Sequence, residues 1–178
     1  HYVVGSQVVE QVESLDGRHQ RVVRHNDTVH TLLPGRRTAI VEKRETLAAW
    51  SATPQMVDPQ ALEQYALHRE GVARVAGRDA VVLRMDPRDA LRYAQRLWAD
   101  LASGLMLRAD MLGNDPDRAL LESTSFTEVE IGVKPQPDAV LRHLRQIEGW
   151  RVLRPQQQRT TLEDEGWVLA RPVPGFRL

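Results

Sequence analysis

The chain of 178 residues contains no cysteine. This excludes disulfide bonds, thiolate metal ligands and a cysteine nucleophile. It also lacks any apolar run near the roughly 18 residues that a membrane-spanning helix requires. Aromatic residues make up only 5% of the chain, whereas 42% of the residues are hydrophobic and 27% are charged. This composition is typical of a folded protein with one domain, or one domain and part of a second.

Charge and motif content argue against nucleic-acid binding and catalysis. The formal net charge is +0, so no global positive field attracts nucleic acid. No G-x-S-x-G sequence and no glycine-rich phosphate loop is present. His19, His25 and His30 have no carboxylate at metal-ligand spacing. The enzyme hypothesis therefore has little support, and the sequence predicts no catalytic residue, no metal site and no cofactor.

Turn signals punctuate the first third of the chain. Asp16-Gly17, Asn26-Asp27 and Pro34-Gly35 separate runs that are rich in β-branched residues. Such pairs favour tight turns between strands, so the pattern predicts an antiparallel meander. Asp58 and Pro59 are typical of the start of a short helix that leads into a strand near Tyr65. A second helix is predicted by the spacing of Val140, Leu141, Leu144 and Ile147.

The stretch RYAQRLWADLASGLMLRADML, from Arg92 to Leu112, predicts two strands joined at Ala102-Ser103-Gly104. Further strands are predicted for RDAVVLRMD before it and for ALLESTSFTEVEIG after it. Three consecutive apolar residues, Leu105 to Leu107, break the alternation expected of a strand with one face in water. A curved sheet that is closed or half-closed into a barrel buries side chains on its inner face.

Strict alternation predicts one apolar wall on the concave side of this sheet. Its predicted members are Val81, Leu83, Met85, Leu91, Tyr93, Leu97, Leu105, Leu107 and Met111. The wall has two interpretations, which are a hydrophobic core and a cavity for an apolar ligand. A single bulge would invert part of this set.

Several stretches together resemble the MucB/RseB family. They are VESLDGRHQRVVRH, RVAGRDAVVLRMDPRDALRYAQRLWADLASGLMLRADML, LLESTSFTEVEIG and GWVLARPVPGF. The hairpin with L-W-A-D-L-A-S-G-L is also similar to carriers of the LolA/LolB type. The resemblance implies an α+β fold, namely a half-open antiparallel β-barrel of the LolA/LolB kind with short helices on its concave face. It places this barrel at 1–147, with its opening strand upstream, a linker at 148–166 and the start of a second small domain at 167–178.

The same resemblance implies a periplasmic negative regulator of the sigma-E (AlgU) envelope stress response, with its signal peptide upstream. Such a protein binds the periplasmic part of an anti-sigma factor of the RseA/MucA type and protects it from site-1 proteolysis. It releases this partner on sensing lipopolysaccharide or the acyl chains of lipoproteins. The alternative is a periplasmic lipoprotein or lipid carrier. The resemblance leaves open whether the protein forms a homodimer, and it assigns no partner-contacting residues.

Overall fold

A computed structural model describes residues 2–4, 7–14, 20–43, 62–134, 136–156, 160–171 and 173. The chain divides into two compact units, which are residues 1–51 with 132–165 and residues 52–131 with 166–178. Among the described residues, no helix has both the length and the apolar character needed to cross a membrane. The domain boundaries after residues 147 and 166 stay a prediction.

Strands dominate the described residues. They are β1 (Tyr2–Val4), β2 (Gln7–Glu13), β3 (Arg21–His25), β4 (Thr28–Leu33), β5 (Thr38–Lys43), β6 (Tyr65–Val75), β7 (Arg78–Pro87), β8 (Ala94–Asp100), β9 (Met106–Leu112), β10 (Leu120–Ser125) and β11 (Arg151–Leu153). One α-helix, α1 (Pro137–Arg145), lies between β10 and β11. The coarse prediction of an α+β chain is therefore confirmed, with far more strand than helix.

The first unit contains a six-stranded sheet in the order β1-β2-β3-β4-β5-β11. Strands β2 to β5 form the predicted antiparallel meander. Asn26 makes the turn between β3 and β4 in the left-handed region, with φ 56°. Its amide N–H donates to the Val8 carbonyl at 2.8 Å, and its side-chain oxygen accepts from the Val8 N–H at 3.0 Å. The predicted turn at Asp16-Gly17 lies outside the described residues.

Strand β11 is the element that sequence patterns did not predict. It pairs with β5 in parallel, with Arg151 opposite Thr38 and Leu153 opposite Ile40. Three residues are too few to show an alternating pattern, and a parallel partner lies far away in the sequence. The linker prediction for 148–166 did not include this pairing.

Helix α1 forms where the apolar spacing predicted it. Pro137 occupies its first turn, where a missing N–H costs no intrahelical hydrogen bond. The helix contacts β2 and β3 of the six-stranded sheet. Its apolar residues Val140, Leu141 and Leu144 are half-buried. The charged residues Asp138, Arg142 and Arg145 are exposed on the remaining surface of the helix.

The second unit contains a five-stranded antiparallel sheet in the order β10-β9-β8-β7-β6. The hairpin predicted from Arg92 to Leu112 is confirmed, and β6 starts at Tyr65 as expected. The predicted helix start at Asp58 and Pro59 lies outside the described residues. Strand β10 ends at Ser125, so the long strand predicted through Gly132 is shorter than expected. Neither sheet closes into a barrel within the described residues.

We expect Val23→Ala to destabilise the six-stranded sheet. Val23 is fully buried, whereas Val12 on the neighbouring strand is 54% exposed. Removing two buried methyl groups from Val23 leaves a cavity and lowers the free energy of unfolding by about 2 kcal/mol. Val12→Ala is the matched control and changes it by less than about 0.5 kcal/mol. Urea denaturation of both variants measures the difference, and equal effects would contradict this assignment of the core.

Candidate binding faces of the five-stranded sheet

Strand register divides the side chains of the five-stranded sheet between two faces. Residues directly opposite each other in an antiparallel pair point to the same side. Leu83 lies opposite Leu97, and the next pair along the strands is Arg84 opposite Arg96. We call the side with Leu83 and Leu97 the apolar face, and the side with Arg84 and Arg96 the ionic face.

The apolar face gathers five of the nine residues predicted to form an apolar wall. They are Val81, Leu83, Met85, Leu97 and Met111. Met85 is buried and the other four are half-buried. Methionine side chains adapt to irregular neighbours, so this face has the chemistry to accept acyl chains. Its occupation by an apolar ligand stays a prediction.

A bulge in β9 places Leu105 and Leu107 elsewhere. Trp98 lies opposite Arg108 but Ala99 lies opposite Met106, so Leu107 is an extra residue in β9. Leu107 is fully buried against Ala80, Val82 and Trp98, and Leu105 packs on the same cluster. These two leucines therefore lie with the core on the other side of the sheet from Leu83 and Leu97. The bulge also explains the apolar run, because Met106 faces one side while Leu107 enters the core on the other.

Leu91 and Tyr93 do not join the wall either. They lie in the irregular segment between β7 and β8, where they are 55% and 50% exposed. Pro87 ends β7, since proline removes a backbone donor from the ladder. Alternation cannot be extended across such a break. Both residues therefore lie outside the paired strands, and their predicted place on the concave wall stays a prediction.

The ionic face centres on Glu70. Antiparallel register puts Arg84 directly opposite Arg96, a like-charge pair that destabilises a sheet when uncompensated. Glu70 Oε1 accepts a hydrogen bond from Arg84 Nη1 at 3.0 Å, and its Oε2 lies 2.7 Å from Arg96 Nε. Hydrogen bonding from Arg96 holds the pKa of Glu70 below its usual range despite partial burial. One carboxylate therefore neutralises the repulsion between two strands.

The position of Glu70 depends on a second bulge. Arg69 lies opposite Leu83 and Gly71 opposite Val82, so Glu70 is the extra residue in β6. Gly71 follows with φ 127°, a conformation that side-chain-bearing residues rarely adopt. A bulge re-aims the inserted side chain, and here it sends a carboxylate over the neighbouring strands.

Asp86 joins the same network at the end of β7. It accepts a hydrogen bond from Arg84 Nε at 2.9 Å and pairs with Arg118. His68 Nε2 lies 3.5 Å from its Oδ2. Burial raises the pKa of Asp86, but the hydrogen bonds from Arg118 and Arg84 outweigh burial and hold it below its usual value.

Asp110 anchors the other end of the ionic face. Arg108 donates to it from Nε and Nη2 at 2.8 and 2.7 Å, and Ser123 donates from its hydroxyl at 2.6 Å. Burial raises the pKa of Asp110, but these hydrogen bonds lower it below the usual range. The Arg108 guanidinium also lies over the Trp98 ring, 4.5 Å from its centroid. This arginine is held on two sides, by a carboxylate and by an aromatic face.

The aspartate of the L-W-A-D sequence has a structural role in the hairpin. Asp100 is buried and accepts two hydrogen bonds from Arg78, at 2.8 and 3.1 Å. It also accepts from the Ser103 N–H at 2.8 Å and from the Ser103 hydroxyl at 2.6 Å. Hydrogen bonding from Arg78 and Ser103 holds the pKa of Asp100 far below its ordinary value. These contacts fix the turn between β8 and β9.

Two of the three histidines singled out from the sequence lie on the six-stranded sheet. His19 lies outside the described residues, while His25 and His30 are half-buried on β3 and β4. Burial lowers the pKa of His30, which favours the neutral imidazole. In the ranges that the structure describes, no group of three or more histidine or acidic side chains is placed to hold a metal ion.

An open cleft of about 430 Å³ lies at one end of the sheet. It is lined by the segment from Pro87 to Ala90, by Ala94, by Gly113 to Asp115 and by Arg118. Asp89 caps its own loop, because it accepts from the Leu91 N–H at 2.9 Å and pairs with Arg92. Asp89 therefore serves local structure, whereas Arg118, which also lines the cleft, pairs with Asp86 on the ionic face.

A family model described as the MucB/RseB N-terminal domain matches residues 1–163. The sigma factor AlgU regulatory protein MucB of Pseudomonas aeruginosa is 34% identical over 132 residues, which cover 74% of this chain and 39% of that protein. The sigma-E factor regulatory protein RseB of Haemophilus influenzae is 28% identical over 115 residues, which cover 65% of this chain and 36% of that protein. The chain thus spans less than two-fifths of the length of these curated relatives.

A solved structure supports the same relationship. The complex of Pseudomonas aeruginosa MucA and MucB contains a chain that is 33% identical and superposes with a TM-score of 0.58. The match covers 76% of this chain and 45% of the solved chain. The likeness therefore extends from sequence to backbone.

We expect Glu70→Gln to weaken the five-stranded sheet, because it leaves the Arg84 and Arg96 charges opposed. The free energy of unfolding should fall by about 1 kcal/mol, the upper range for partly exposed ion pairs. Glu122→Gln on exposed β10 removes the same charge from the same sheet and is the control. Equal losses in urea denaturation would show that Glu70 does not hold the two arginines.

We expect the ionic face to lose stability in acid. The pKa values of Glu70, Asp86 and Asp110 are lowered in the folded state, so the unfolded chain binds more protons below about pH 4. Their stabilisation is present above that pH and is lost as the pH falls. Asp110→Asn should therefore show a shallower decline in unfolding free energy between pH 6 and pH 3 than the wild type. Parallel declines would contradict this account.

Proposed function

Since this chain belongs to the MucB/RseB family, we propose that it binds the periplasmic part of a membrane-anchored anti-sigma factor and acts as a negative regulator of the sigma-E envelope stress response. The names of its relatives, both sigma factor regulatory proteins, support this function. The solved complex of MucA with MucB supports an anti-sigma factor of that type as the partner. While bound, the partner is protected from site-1 proteolysis.

Release follows from linkage between two ligands. A signal molecule that prefers the state unable to hold the anti-sigma factor shifts the population away from the complex. Lipopolysaccharide and the acyl chains of lipoproteins are the proposed signals. The apolar face supports this choice, since Leu83, Leu97 and Met111 are half-buried side chains on one side of the sheet.

The proposed setting is the periplasm, and the proposed architecture is a half-open barrel of the LolA/LolB kind. The five-stranded antiparallel sheet with one apolar face supports this architecture. Segment 167–178 is proposed as the start of a second small domain. A receptor that binds and releases needs no reacting group, which is consistent with a regulatory family.

The second candidate function is a lipoprotein or lipid carrier. The observation in its favour is the apolar face, which suits an acyl chain whether the protein senses it or transports it. A carrier must hand its lipid to an acceptor, whereas a regulator only needs to change its affinity for the anti-sigma factor.

Native mass spectrometry of the chain with the periplasmic segment of a MucA-type anti-sigma factor tests the proposal. We expect a stable complex, and we expect added lipopolysaccharide to reduce its population. The bound segment should also resist site-1 protease longer than the free segment. Absence of any complex would contradict the regulatory function, and transfer of lipid to acceptor vesicles without segment binding would favour the carrier.

A further inference from the structure

The ionic face carries more positive than negative charge. Its cations are Arg84, Arg96, Arg108 and Arg118, joined by His68 when protonated, and its anions are Glu70, Asp86 and Asp110. We propose that this face docks an acidic segment of the bound protein partner, with partner carboxylates meeting these arginines. The inference rests on the proposed function, because it assigns the anti-sigma factor a place and a chemistry on the sheet.

The arginines retain unused donors. A guanidinium has five N–H groups. Among the described residues, the structure records one ion-pair contact for Arg96, at Nε, and one for Arg118, at Nη1. The side chains of Arg96 and Arg118 are 41% and 45% exposed. Each guanidinium therefore keeps N–H groups outside its ion pair, on a side chain that is partly open to solvent and held by its own carboxylate partner.

Preorganisation makes these donors useful for binding. Glu70 fixes Arg84 and Arg96 on neighbouring strands, and Asp110 with the Trp98 ring fixes Arg108. Side chains that are already ordered lose less entropy when a partner binds. Arginine also binds carboxylates in a planar, two-point geometry that lysine cannot match. The occupant that fits is an extended segment bearing aspartate or glutamate.

Fluorescence anisotropy of the complete chain with the labelled periplasmic segment of a MucA-type anti-sigma factor tests the inference. We expect Arg96→Gln and Arg118→Gln each to weaken binding about three- to tenfold, and added salt to weaken the wild-type complex. Arg69→Gln is the matched control, since Arg69 is exposed on β6 but lies opposite Leu83, on the apolar face. It should change the affinity by less than about twofold.

A second measurement leaves the protein unaltered, in case either variant fails to fold. Here the aspartates and glutamates of the segment are replaced by asparagine and glutamine, and wild-type affinity should fall at least tenfold. Unchanged binding of this neutral segment would overturn the inference while the proposed function stands. Failure of the native segment to bind would overturn both. Binding to phosphatidylglycerol vesicles that is lost in the two arginine variants, with segment binding unaffected, would assign the face to a membrane and overturn the inference.

Discussion

The Glu70 carboxylate holds together two arginines that the register of β7 and β8 forces into opposition. The sheet cannot avoid the Arg84–Arg96 pair without moving its whole pattern by one residue, which would also turn Leu83 and Leu97 to the other side. The compensating negative charge comes from a third strand, β6, because Glu70 is the residue that its bulge inserts. The β7–β8 register, the β6 bulge and the Glu70 ion pairs therefore depend on one another. Together they determine which side chains lie on the apolar face and which lie on the ionic face.

The consequences extend along the strands in both directions. Arg84 also donates to Asp86. Asp86 in turn contacts Arg118 and His68 at the end of the sheet. On the far side, Asp110 lies opposite Arg96 and binds Arg108, whose guanidinium covers Trp98. Trp98 in turn belongs to the hydrophobic cluster with Val82 and Leu107. The ionic face and the core are thus continuous rather than separate features.

Sequence patterns predicted the features that depend on local chemistry. The Asn26-Asp27 turn, the hairpin from Arg92 to Leu112 and the helix that begins at Pro137 all follow from turn residues, alternation or helical spacing. The patterns failed where pairing with a distant strand decides the outcome. The three residues of β11 carry no local signal. The apolar run from Leu105 to Leu107 shows that alternation breaks, but only the partner strand determines that Leu107 is the extra residue.

The sequence nevertheless contains a pattern that predicts part of the ionic face. The triplets Arg84-Met85-Asp86 and Arg108-Ala109-Asp110 place an arginine and an aspartate two apart, hence on the same side of a strand. Asp86 ends this pattern beside Pro87 and accepts from Arg84, whereas Asp89 holds the following turn by accepting from the Leu91 N–H. The net charge of the chain does not show this pattern, because the two charges of each ion pair cancel in the total.

The two faces belong to the same strands, and this bears on how a signal could act. Leu83 and Leu97 on one side are chain neighbours of Arg84 and Arg96 on the other. A ligand on the apolar face and a protein segment on the ionic face share no atoms, so they need not compete for space. Coupling between them then requires a change in strand twist or register that both ligands feel. Glu70 belongs to β6, whereas Leu83 and Leu97 belong to β7 and β8, so the carboxylate contacts depend on the β6–β7 register and the leucine pair does not.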